Sequence, residues 1–160
     1  MSSSLFTIGH GTRPLSTFLD LLEKFHIDFL IDVRSIPWSA FNPQYRQTTL
    51  AHALQQRNIR YVYMGDALGG RPTDPSCYSD GKVNYEALQQ KDFFLRGIER
   101  LKAAHEKDVR AALLCSESNP AKCHRSRLIG RFLHQQNIPL QHIDGDGALC
   151  EQATLTPILF

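Results

Sequence analysis

Cys115, Glu117, Cys123, His124 and Arg125 fall within eleven residues of a 160-residue chain. Two thiols, a carboxylate, an imidazole and a guanidinium can between them attack, move a proton and hold an anion. Pro120 suits the first turn of a helix over residues 120–136, and Ser118 or Asn119 suits its cap. Cys123, His124 and Arg125 are then expected near the helix N-terminus. Free backbone amides and the helix dipole favour an anion there and lower the pKa of a nearby thiol. Arg125 lies four residues before Ile129 and eight before Leu133, so it extends the apolar face, as His124 does relative to Leu128. A guanidinium buried there needs a charged partner or a bound anion. A plainer reading makes Cys115 and Cys123 small core residues and pairs Arg125 with Asp32 or Glu117. A metal reading takes Cys115, Glu117, Cys123 and His124 as ligands, although their spacing matches neither Cys-x-x-Cys nor His-Glu-x-x-His. Cys115 and Arg125 stand ten positions apart, too far for a short loop that wraps one anion with a Cys and an Arg.

Other candidates follow apolar runs. His10 sits between Gly9 and Gly11, where the backbone can approach a ligand closely. Asp32 and Arg34 close a second run and are expected to face opposite sides, one anchoring the site and the other a helix. Gly65-Asp66 and Gly69-Gly70-Arg71 follow a third. Residues 37–46 mix aromatics with one cation; they could stack a base or pack as a cover loop.

These residues need elements to bring them together. Leu5-Phe6-Thr7-Ile8 reads as a strand. Pro14 opens a helix with Leu15, Phe18, Leu19, Leu22 and Phe25 at helical spacing. Phe29-Leu30-Ile31-Asp32-Val33 is a strand covered on both faces. Thr48 or Thr49 caps a helix carrying Leu50, Ala53 and Leu54. Residues 59–64 form a strand and 65–83 a long loop. A helical region begins at Asn84 and breaks near Asp92. Residues 109–114 and 140–143 are strands. The alternation predicts one α/β domain over residues 1–160: three layers, a mostly parallel sheet flanked by helices, Rossmann-like or flavodoxin-like. In such a sheet the strand ends share one edge, where ligands bind.

Composition narrows the class. The 42% hydrophobic share supports a real core, and the net charge of +2 neither demands nor excludes a polyanion. The start Met1-Ser2-Ser3-Ser4 lacks a secretion signal, and no apolar run is long enough for a membrane span. Four cysteines in a reducing compartment read as free thiols or ligands rather than structural disulfides. The expectation is a cytoplasmic protein with no membrane partner. The sequence assigns no cofactor and no oligomeric state.

Four motifs occur in one order: Ile8-Gly9-His10, Asp32-Val33-Arg34, Leu68-Gly69-Gly70 and Cys115-x-Glu117-x-x-Pro120-x-x-Cys123-His124-Arg125. With them the chain resembles the bacterial and archaeal family called domain of unknown function 488, down to Leu155-Thr156-Pro157. The resemblance implies a shared site of His10, Asp32, Arg34, Cys115, Glu117, Cys123, His124 and Arg125. It implies no settled activity. Similar sequences often carry several basic residues around the positions of Trp38, Ala40 and Phe41; this chain has aromatic or small ones there, which counts against a polyanion-binding role shared with them.

The leading expectation is an enzyme, a thiol- or carboxylate-dependent hydrolase or transferase, acting on a phosphate-bearing substrate such as a nucleotide or nucleic acid. Arg34 and Arg125 hold the anion, with His10 and Asp32 beside them. Cys115 or Cys123 attacks, and Glu117 or His124 acts as acid–base. The alternatives are a non-catalytic module that binds nucleic acid or a protein, and a metal-dependent hydrolase or sensor.

Overall fold

The computed structural model describes residues 4–155; Thr156 and Pro157 of the last motif lie outside the described residues. Strand β1 (Leu5–Gly9) leads to helix α1 (Leu15–Lys24), β2 (Phe29–Asp32), α2 (Gln47–Gln56) and β3 (Arg60–Tyr63). A short helix α3 (Gly65–Leu68) and a small hairpin, β4 (Tyr78–Ser79) and β5 (Lys82–Val83), follow. Then come α4 (Tyr85–Leu88), α5 (Asp92–Glu106) and β6 (Ala111–Cys115). The last described elements are α6 (Arg131–Gln135), β7 (Gln141–Ile143), β8 (Leu149–Glu151) and α7 (Gln152–Leu155).

The main sheet has the order β3-β2-β6-β1-β7-β8, and all neighbours are parallel except β7 and β8. Period-two alternation sends Leu5, Ile31 and Leu113 to one core and Phe6, Leu30 and Leu114 to the other. Phe18, Leu22, Leu50 and Leu54 of α1 and α2 complete one core. Phe94, Ile98 and Leu101 of α5, with Leu128 and Leu133, complete the other. The result is the three-layer α/β architecture that the alternation predicts.

The strand order supplies what the pattern lacked. From β1 the chain crosses by α1 to β2 on one side of the sheet. From β6 it crosses to β7 on the other. Adjacent strands whose connections leave in opposite directions form a topological switch point, here β1 and β6. The loops after them carry His10 and the Cys115–Glu117 stretch.

Three local expectations are corrected. Residues 65–83 are not an open loop, because α3, a 3-10 turn (Pro75–Cys77) and the hairpin organise them. Helix α2 begins at Gln47, with Arg46 preceding it and no side-chain cap; Thr48 and Thr49 lie inside its first turn. Residues 120–136 are not one helix. Asn119 caps a 3-10 turn (Pro120–Lys122) by accepting from Ala121 N, Cys123 is extended, and Arg125–Gly130 wind as a π-helix before α6. The helical start at Asn84 and the break near Asp92 are as expected; the structure adds that the Asn84 side chain caps this start by accepting from Ala87 N.

A buried polar chain ties the β1–β7 end together. Arg125 Nη1 donates to Thr7 Oγ1 at 3.2 Å, and Thr7 Oγ1 meets His142 Nδ1. His142 Nε2 meets Gln152 Oε1, and Gln152 Nε2 donates to Ser126 O at 3.3 Å. An amide oxygen only accepts, so Nε2 carries the hydrogen and Nδ1 accepts from Thr7. Burial pushes the His142 pKa from 6.5 down to about 4. The folded state therefore binds fewer protons than the unfolded chain across that window. Stability is expected to fall as pH drops from about 6.5 towards about 4, by on the order of 3 kcal/mol. Denaturant unfolding across this window checks it: His142→Gln should give a shallower slope, and an unchanged slope would refute the assignment.

Candidate functional site

The ends of β1 and β6 are held side by side. Beyond the strands, His10 N donates to Cys115 O at 3.0 Å and Gly11 N to Ser116 O at 2.9 Å. A Cβ at Gly9 would stand 1.8 Å from the Glu117 carbonyl oxygen, so only glycine lets the two loops approach this closely. Gly70 does the same for the loop after α3: a Cβ there would lie 3.0 Å from the His124 ring. A cleft of about 570 Å³ opens at this edge, lined by His10, Arg34, Cys115, Glu117, Cys123 and His124, with Ser35, Arg71, Tyr85 and Lys122 around them.

Cys123 is the chemically prepared group. Its pKa is held well below the ordinary thiol value, first by a hydrogen bond from Cys115, against the opposing effect of burial. His124 and the backbone N–H of Arg125 add to the lowering. Sγ lies 3.6 Å from His124 Nδ1. His124 Nε2 is 3.0 Å from Val33 O. A carbonyl only accepts, so Nε2 carries a hydrogen and Nδ1 is free to exchange a proton with the thiol. Cys115 is the reverse case: burial first, then the hydrogen bond and charge of Cys123, push its pKa up. Its single Sγ hydrogen has two acceptors in reach, the Cys123 thiolate and Glu117 O at 3.4 Å. Glu117 itself is exposed, and its Oε1 accepts from Asn119 N.

Asp32 and Arg34 do not face opposite sides. They are two residues apart, which puts them on one face. Arg34 Nε and Nη2 grip the Asp32 carboxylate at 2.9 and 2.8 Å, and Arg34 N and Tyr61 OH donate to it as well. Asp32 is thus a buried anchor beneath the cleft. Arg34 lines the cleft with Nη1 left without a partner. His10 is similar. Its Nδ1 donates to Gly11 O at 2.8 Å, its ring stacks on Tyr45 with centroids 4.4 Å apart, and Nε2 has no partner. Burial, ahead of the opposing Gly11 bond, lowers its pKa, so Nε2 is a bare acceptor at neutral pH.

Arg125 is placed behind the cleft rather than in it. It is 0% exposed and donates to Thr7 Oγ1 and, at 2.8 Å, to Ser118 O. Neither Asp32 nor Glu117 pairs with it, because both are engaged elsewhere. Its charge acts on Cys115, whose pKa it pulls down. The segment 37–46 splits. Tyr45 is buried and packs on Phe18, whereas Ile36, Trp38 and Phe41 are 72%, 54% and 93% exposed. Arg46 lies over the Trp38 ring, 4.4 Å from its centroid.

Arg71 was named only as part of the Gly69-Gly70-Arg71 run, and Lys122 and Tyr85 were not singled out by sequence reasoning. Arg71 follows the Gly69-Gly70 pair, and its N–H donates to Ser35 Oγ at 2.8 Å. Lys122 lies inside the 115–125 segment, so both had a positional signal. Tyr85 had none. Among the described residues no three His, Cys, Asp or Glu side chains converge as a metal cluster, which leaves the four-ligand reading without a geometric basis. No helix among the described residues is long and apolar enough to cross a membrane.

The fold and cleft define a three-layer α/β protein with two thiols meeting at the switch point of its sheet. The chain belongs to the family described as domain of unknown function DUF488, whose family model matches residues 14–132. Among curated proteins and solved structures, nothing matches the chain.

The Asp32–Arg34 pair is the part of this site most open to a stability test. Asp32→Ala leaves a buried guanidinium without its carboxylate and should cost about 3–5 kcal/mol in denaturant unfolding. A loss below about 1 kcal/mol, the scale of an exposed pair, would mean that Arg34 finds water on losing its partner.

Proposed function

We propose that the chain is a thiol-dependent enzyme acting on a phosphate-bearing substrate, a nucleotide or nucleic acid. The observation that carries this reading is the Cys123–His124 dyad, a thiol held toward its thiolate with a base whose tautomer Val33 O sets. Cys123 attacks the electrophilic centre. His124 Nδ1 holds the proton taken from the thiol and returns it to the leaving group. Arg71, Lys122 and the unpartnered Nη1 of Arg34 favour an anion in the cleft. Glu117, exposed at the rim, is the second acid–base candidate. His10 Nε2 accepts a hydrogen bond from the substrate, while Asp32 and Arg125 position the groups that touch it.

The exposed Ile36, Trp38 and Phe41 favour a substrate with an unstacked base over a bare phosphate, because aromatic faces bind bases at about 1–3 kcal/mol each. The same loop fits the reading in which the protein only binds nucleic acid. Chemistry at Cys123 separates the two.

Iodoacetamide should alkylate Cys123 faster at pH 6 than it does a model thiol of pKa about 8.5. His124→Ala should slow it roughly tenfold for each pKa unit regained. A nucleotide or phosphate monoester should protect the thiol. Alkylation at the model-thiol rate, or no protection by either ligand, would overturn the enzyme reading.

Trp38 is the sole tryptophan, so its fluorescence reports the loop alone. A single-stranded oligonucleotide should quench it, with affinity falling as salt rises and weakening further in Phe41→Ala. Unchanged emission at saturating oligonucleotide would remove the stacking role.

A further inference from the structure

The proposed chemistry uses one thiol and leaves a second beside it. Cys115 and Cys123 line the same cleft, lie close enough to drive each other's pKa in opposite directions, and neither is in a disulfide. Cys115 ends β6 against the core. Cys123 sits in extended backbone, φ −125° and ψ 152°, between a 3-10 turn and the π-helix. Ser116, Glu117 and Asn119 between them are exposed, and a cross-link requires the sulfurs to close to about 2.05 Å. Cys77 is buried in the core beneath the hairpin and Cys150 lies on β8, away from the cleft.

We propose that Cys115 and Cys123 form a redox-active dithiol that reduces a small anionic disulfide, with Cys123 attacking and Cys115 resolving. This rests on Cys123 being the nucleophile, as in the reading above, and adds a second substrate class to the same cleft. In the first step the Cys123 thiolate attacks one sulfur of the disulfide. An S–S bond forms to Cys123, the substrate S–S bond breaks, and one thiolate leaves. In the second step Cys115 attacks Cys123 Sγ and gives its proton to the second leaving thiol. The two cysteines are oxidised to one disulfide, and the substrate is reduced to two thiols.

The site is built for that order. While Cys123 is a thiolate, its charge and hydrogen bond keep Cys115 protonated. Once Cys123 is covalently capped, both influences end; burial still opposes the Cys115 thiolate, and the Arg125 guanidinium works against that burial. That gives the wholly buried Arg125 a partner that appears when the second step needs it. Arg71 and Lys122 beside the thiols select for an anionic disulfide.

The test uses the reduced wild-type chain, 3,3′-dithiodipropionate as the anionic disulfide and 2-hydroxyethyl disulfide as its neutral counterpart. Samples are quenched with iodoacetamide and mapped by mass spectrometry. The expected result is a transient adduct on Cys123, then a Cys115–Cys123 cross-link with two thiols released per chain, faster for the dianion. Cys115→Ser and Cys115→Ala should both stop at the Cys123 adduct. A wild-type chain that also stops there, or that cross-links through Cys77 or Cys150, overturns the dithiol. Equal rates for the two disulfides overturn the anionic selectivity. Fast alkylation of Cys123 without closure sinks this inference and leaves the nucleophile intact. Closure without protection by a nucleotide or phosphate monoester sinks the phosphate reading instead.

Discussion

Two backbone hydrogen bonds beyond the strand ends hold the site together: His10 N to Cys115 O and Gly11 N to Ser116 O. They continue the β1–β6 ladder into what would otherwise be two independent loops. The imidazole of one loop and the thiol of the other are therefore fixed by the sheet, not by loop packing. Gly9 makes the continuation possible, because the Glu117 carbonyl occupies the space a side chain would need. The cleft floor, the Cys115 thiol and the acceptor of His10 inherit their positions from this join. It falls where the chain reverses its direction of travel across the sheet, so the helices that would cover the strand ends diverge and leave them open.

The two buried arginines are held in different ways. Arg34 has a carboxylate, gripped by two of its nitrogens, and Asp32 is further satisfied by Tyr61 and by backbone. That pair is complete without a ligand, and only Nη1 is left over. Arg125 has a hydroxyl, a carbonyl and no carboxylate. Burying a cation on neutral acceptors is costly, and the polar chain through Thr7, His142 and Gln152 spreads the cost over several groups without adding a charge. Its electrostatic reach is to the sulfur of Cys115. The first arginine behaves as structure that touches the cleft, the second as charge stored behind it.

Much of this was legible in the sequence. The alternation of apolar runs and helical periods gives the three layers, and Cys115, Glu117, Cys123 and His124 of the 115–125 segment do line one cleft. His10 between glycines was readable because the glycines flag close approach. Other features were not. Strand order depends on which face each crossover helix takes, and apolar patterns do not encode that. The partner of Arg34 was misjudged because the parity of residues 32 and 34 puts them on one face. Arg125 looked like a ligand-binding group because nothing local reveals that Thr7, over a hundred positions earlier, is its acceptor. Tyr85 reaches the cleft only through the fold of the 65–83 segment, whose hairpin carries too few residues to show a period.

The break at Cys123 matters most for the chemistry. In a continuous helix over residues 120–136, Cys123 and His124 would be adjacent residues, and adjacent helical side chains point about 100° apart. The extended backbone at Cys123 removes it from the spiral, which allows its sulfur to lie 3.6 Å from the next residue's imidazole. The following turn is wide, a π-helix, a form that recurs at functional sites. The amides of Ser126 and Arg127 donate to Cys123 O, and that of Arg125 is the one that meets the thiol. The helix start that the sequence places at Pro120 is thus divided in two. The 3-10 turn closes the loop from Cys115, and the π-helix begins where a thiolate can use it.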